Sequence, residues 1–146
     1  MLKSKEIKLG DESITIFQLS ALDNLEYMKA HIESPHIEDP VKPDDDADNK
    51  AHFEYQQQRL IANTDYLYHS IRLQALLIAY STKRNPEHQD RSIEELTEHY
   101  IENWPADVIR DAYEQVGLFS KLNLVSNKSE SSSKAEKNEE PIDPKL

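Results

Sequence analysis

The chain has 146 residues, a mass of 16.9 kDa and a formal net charge of -11, and its length suits one compact domain. It has no Cys and only two Gly, which excludes disulfides, zinc-thiolate sites, thiol chemistry and a glycine-rich phosphate cradle. The acid excess argues against a nucleic-acid partner, which needs a basic face to displace counterions, and equally against an anionic membrane surface.

Residues 4–17 read as a β-hairpin. Ile7 and Leu9 alternate with polar residues, Gly10-Asp11 supplies the turn, and Ile14, Ile16 and Phe17 continue the pattern on the return strand. Such a hairpin must pack on something to be stable. Ser20 then reads as an N-cap, with Asp23 in the first turn. Ala21, Leu25, Met28 and Ile32 repeat at helical spacing, with Leu22 beside them, and predict an amphipathic helix from Ala21 to Glu33. Pro35 lies beyond its end.

Residues 35–50 carry Pro35, Pro40 and Pro43, and six acids against Lys42 and Lys50. Self-repulsion and poor burial predict an exposed, mobile loop. From Lys50 to Thr82 there is neither Pro nor Gly. Phe53, Leu60, Leu67, Ile71 and Ile78 share one heptad stripe, interrupted by Gln57, Thr64 and Gln74. This predicts one long helix. Its second half is apolar nearly all round and should be the central core element, while its Gln-rich first half should be exposed.

Ser92 and Glu95 form a capping-box pair for a third helix, whose apolar face is Ile93, Leu96, Tyr100, Ile101 and Trp104. Pro105 stops it and suits the first turn of a fourth. Val108, Ile109, Ala112, Val116, Phe119 and Leu122 give that helix its face. Beyond Val125 the chain is rich in Ser, Lys and Glu, and reads as a disordered tail over 126–146. The expected architecture is mainly α: a small N-terminal β-hairpin packed on a bundle of about four helices within residues 1–125.

No pattern asks for catalysis, a metal or a cofactor. The six His residues include no i, i+4 pair. His31, Glu33 and His36 read as surface residues rather than as a metal site. Asp44-Asp45-Asp46-Ala47-Asp48-Asn49 begins like a calcium loop, but Asn49 stands where Gly is needed and Tyr55 where a bidentate Glu is needed. Glu94, Glu95, Glu98 and Glu102 fit a solvated helix face better than an acid–base pair. Ser131 to Ser133 have no His near them in the sequence. The start of the chain shows no apolar run of signal-peptide length, so the expected compartment is the cytoplasm.

Two segments carry a resemblance. Leu19-Ser20-Ala21-Leu22 follows the hairpin, and Trp104-Pro105 sits between the last two helices. Their order, with an apolar helix between them, resembles the tail assembly chaperones of lambda-like phages, the minor tail protein G family, over about residues 5–122. The resemblance implies a non-enzymatic protein of the host bacterial cytoplasm, absent from the finished virion. Its implied partner is the tape measure protein, kept soluble until the tail tube polymerises around it. It also implies a longer product made by ribosomal frameshifting, whose extension recruits the tail tube protein. Phe53, Tyr55 and Leu60 are the expected partner surface. The competing readings are an acidic DNA mimic or small regulator, and a structural protein of the virion tail. The charge map disfavours mimicry. Residues 35–50 have six acids against two Lys, and residues 84–125 nine acids against four bases, while residues 51–83 have two acids against three bases. The acidity is concentrated in segments rather than spread over one face.

Overall fold

Alternating apolar residues produce a two-stranded antiparallel hairpin at the N-terminus of this computed structural model, which describes residues 1–122. Strand β1 (Ser4–Leu9) pairs with β2 (Glu12–Phe17), Ser4 opposite Phe17 and Leu9 opposite Glu12. Gly10 turns the chain at φ +67°, a conformation open to it because it lacks a Cβ. Ile7, Leu9, Ile14 and Ile16 share one face, and Ile7 and Ile16 are buried.

The hairpin is held to the helices by side chains that satisfy its backbone. Ser81 Oγ accepts from Phe17 N at 3.2 Å and donates to Phe17 O at 2.7 Å. Asn85 Nδ2 donates to Thr15 O at 2.9 Å. Ser120 Oγ accepts from Leu19 N at 3.2 Å, and Gln18 Nε2 donates to Phe119 O at 3.3 Å. The Ser81 and Asn85 bonds occupy backbone groups of β2 that a free strand edge would expose, while the Gln18 bond takes up a carbonyl at the end of α4.

Four α-helices follow: α1 (Ala21–Ile32), α2 (Asn49–Thr82), α3 (Ile93–Asn103) and α4 (Ala106–Phe119). The second half of α2 is the axis of the body, with Ala75, Leu77, Ile78, Ala79, Ser81 and Thr82 buried. It packs against α1, α3, α4 and β2. Leu96 and Tyr100 of α3 and Ile109, Ala112 and Val116 of α4 complete the core. Tyr100 lies on Trp104, ring centroids 4.5 Å apart, and its hydroxyl is 2.6 Å from Thr82 Oγ1. Thr82 already donates to Ile78 O, so Tyr100 is the donor in that pair. Burial pushes the Tyr100 hydroxyl up to about 12.

The helix ends follow local chemistry. Ser92 and Glu95 make both halves of the expected capping box. Pro105 sits one position earlier than expected, as the N-cap of α4 rather than in its first turn. Helix α4 continues through Gly117 and closes in a Schellman motif: Leu122 N bonds Gly117 O at 2.8 Å and Lys121 N bonds Leu118 O at 3.2 Å. Lys121 holds the left-handed position, at φ 59°, that Gly usually fills.

Helix α1 departs from the usual rule. An amphipathic helix ordinarily buries its apolar stripe. Here Leu22, Leu25, Met28 and Ile32 are exposed, while Asp23 and Tyr27 face the body. The cause is polar pairing. Asp23 is 3 % exposed and accepts from Lys83 Nζ at 2.6 Å and Arg84 Nη1 at 2.9 Å. Tyr27 is buried as well, and burial raises the pKa of its hydroxyl. The expected tail at 126–146 lies outside the described residues.

Candidate functional site

Among the described residues, the first half of α2 is the longest helical stretch with no buried residue. No residue from 49 to 70 is buried. At 1.5 Å per residue this stretch is an arm roughly 33 Å long. Asp48 starts it, its carboxylate accepting from Ala51 N at 2.8 Å. The acidic loop thus ends two residues earlier than the sequence suggested, because Asp48 is a cap. Phe53, Leu60, Ile61, Leu67 and Tyr68 are all more than half exposed.

Those residues share one face. Phe53, Leu60 and Leu67 are seven residues apart, and Ile61 and Tyr68 follow beside them. Further along the same stripe Ile71 is half-buried and Ile78 fully buried. One continuous apolar stripe is therefore covered by the body at one end and bare at the other. Tyr55 is placed differently. Two residues beyond Phe53 means a rotation of about 200° around the helix. Its ring is half-buried beneath Arg59, whose guanidinium carbon lies 5.9 Å from the ring centre.

The loop after α1 returns along the arm. His36, Ile37, Glu38, Asp39, Pro40 and Val41 form an open groove with Gln58, Ile61, Ala62 and Asp65. Ile61 belongs both to this groove and to the apolar stripe. An acidic border therefore runs beside the stripe, with Glu38 and Asp39 on the loop and Asp65 on the arm, all exposed.

The other sequence candidates serve structure or remain on the surface. Leu19 is half-buried against the core, its N–H bonded to Ser120. Ser20 caps α1, accepting from Asp23 N at 3.0 Å. Ala21 and Leu22 are exposed. Trp104 ends α3 and packs on Tyr100, and Pro105 opens α4. Glu95 is the capping carboxylate and Glu98 is ion-paired with Arg72. That pair holds the Arg72 guanidinium above its ordinary value. Glu94 and Glu102 line an open surface with Arg91 and His99. Burial lowers the His99 imidazole, and the charge of Arg91 lowers it further. Among the described residues, no three His, Asp or Glu side chains are placed to hold one metal ion.

The sequence model of the bacteriophage lambda tail assembly chaperone, TAC, protein G, matches residues 1–140. The chain belongs to that family. Comparison with curated proteins and with solved structures gives no significant match. The role of a tail assembly chaperone is non-catalytic, and its partners are tail proteins. No helix among the described residues is long and apolar enough to cross a membrane. For a chaperone of this family the bare arm of α2 and the outward stripe of α1 are the surfaces to weigh, since contiguous exposed apolar side chains mark interaction sites. Sequence periodicity gave the arm. It could not give the α1 surface, because the stripe that points outward has the same spacing as one that points inward.

Proposed function

We propose that this chaperone binds the tape measure protein and keeps it soluble in the host cytoplasm until the tail tube forms, and that it is absent from the finished virion. The observation that carries this reading is the bare arm: Phe53, Leu60 and Leu67, each more than half exposed on one helix face. A long helical client with apolar stripes aggregates when uncovered. An exposed helix face of matching period can cover such a stripe, helix against helix. The acid excess then keeps the complex soluble. A frameshift-extended form, with an extension that recruits the tube protein, belongs to the same proposal.

Phe53→Ser combined with Leu60→Ser tests it. Neither side chain is buried, so the double variant should keep its helix content and melting temperature. It should retain less than about a tenth of wild-type tape-measure capture, since removing two large anchors costs several-fold each. Capture equal to wild type would remove the arm from the proposal.

A further inference from the structure

We propose that the arm of α2 selects a client helix with a particular charge pattern: an apolar stripe bordered on one side by lysines or arginines. The inference rests on the chaperone reading above and specifies the chemistry of its client.

The apolar part of the argument is continuity. From Ile71 onward the stripe of α2 is covered by the rest of the fold, and from Phe53 to Leu67 it is bare. A client helix would extend along the arm the kind of packing that the body already makes at Ile78. A client side chain every third or fourth residue would meet Phe53, Leu60 and Leu67, with Gln57 and Thr64 between them.

The charge part is asymmetry. Counted from Phe53 at 100° per residue, Leu60 and Leu67 lie within about 40° of it. Gln58, Ile61, Ala62 and Asp65, the residues beside the loop, lie at about 80° to 180°. Glu38 and Asp39 join Asp65 on that side, Glu54 falls in the same sector, and Lys50 stands against these four acids at the start of the flank, at about 60°. The other side carries Gln56, Asn63 and, farther round, Arg59. A helix seated on the stripe therefore has a flank where carboxylates outnumber Lys50, and an opposite flank that carries amides and, farther round, Arg59. Lysines or arginines on the first flank meet opposite charge, and acids there are repelled. A second copy of this chain is a poorer occupant. Antiparallel two-fold pairing of two arms would place both acidic borders on the same side.

The experiment uses the full chain and two designed peptides of about 25 residues, each with Leu at heptad a and d positions. One carries Lys along a single flank, the other Glu at the same positions. Binding is read by fluorescence anisotropy at about 50 and 300 mM salt. The Lys peptide should bind about tenfold more tightly than the Glu peptide, and the preference should shrink at high salt. The triple variant Glu38→Gln, Asp39→Asn, Asp65→Asn should lose the preference while keeping its melting temperature. Phe53→Ser with Leu60→Ser should lose binding of both peptides. Equal binding of the two peptides, an undiminished preference in the triple variant, or binding of neither peptide overturns the proposal. Self-association through the arm that excludes both peptides overturns it as well. Charge-selective peptide binding without tape-measure capture would refute the client's identity and leave the charge rule standing. Capture without charge selectivity would do the reverse.

Discussion

Asp23→Asn removes one charge and little volume from the contact that orients α1. The side chain of Asp23 is 4 % exposed, while those of Lys83 and Arg84 are 31 % and 34 % exposed. Each charge-assisted hydrogen bond contributes about 1.5–3 kcal/mol in favourable settings. Both cations keep a third of their surface in water, so the low end applies, and Asn still accepts one neutral bond worth about 1 kcal/mol. The expected loss at pH 7 is therefore about 2 kcal/mol. With a urea m-value of about 2 kcal/mol/M, the midpoint should fall by about 1 M at unchanged m. The pH dependence follows from the carboxyl's environment. Burial raises its pKa, but the bonds from Lys83, Arg84 and Ser20 outweigh burial, and the net shift is below the ordinary 3.8. A depressed carboxylate pKa stabilises the fold above the unfolded value and ceases to do so as the pH falls through the folded value. Wild type and variant should therefore differ by a constant amount between about pH 5 and 7 and converge below about pH 4. A midpoint unchanged at pH 7, or a gap that persists undiminished to pH 2, would refute the ion pair as the anchor of α1.

Two further changes test the joints of the fold. Ser81→Ala leaves both the N–H and the C=O of Phe17 without their helix partner, and should cost about 2 kcal/mol in urea unfolding. The same variant should speed amide hydrogen exchange in β2 more than in α3. Lys121→Gly should stabilise the protein by about 1 kcal/mol, because Gly accepts the left-handed backbone at φ 59° without steric cost. In a domain of this size that is a rise in melting temperature of about 3–5 °C, read by calorimetry.

Most elements were legible because each announces itself locally. Gly10-Asp11 between alternating strands, Ser20 and Ser92 as caps, and the run without Pro or Gly after residue 50 fix local geometry with little help from tertiary contacts. The buried half of α2 was legible from its all-round apolar character, and the family from Leu19-Ser20-Ala21-Leu22 and Trp104-Pro105 in order. The facing of α1 was not. Its periodicity gives a stripe, but which side turns inward depends on Lys83 and Arg84, sixty residues away in sequence. Tyr55 is near Phe53 and Leu60 in sequence, while helical rotation turns it away from the stripe they share. The return of the loop along Gln58 to Asp65 was equally hidden, since a proline-rich acidic run gives no direction.

The two surfaces left bare share a physical logic. A monomer that displays Leu22, Leu25, Met28 and Ile32 on one helix and Phe53, Leu60, Ile61 and Leu67 on another would be expected to self-associate. Hydrophobic attraction is not directional, so the means of preventing wrong pairings must lie in charge or sterics. Glu38 and Asp39 of the loop supply charge where it is needed, along the border of the arm. Like charges repel a second arm in the antiparallel arrangement and leave the stripe open to a helix of opposite flank. The same carboxylates that exclude the wrong partner thus mark the right one. For that reason a segment that adds nothing to the core can still decide what the exposed stripe binds.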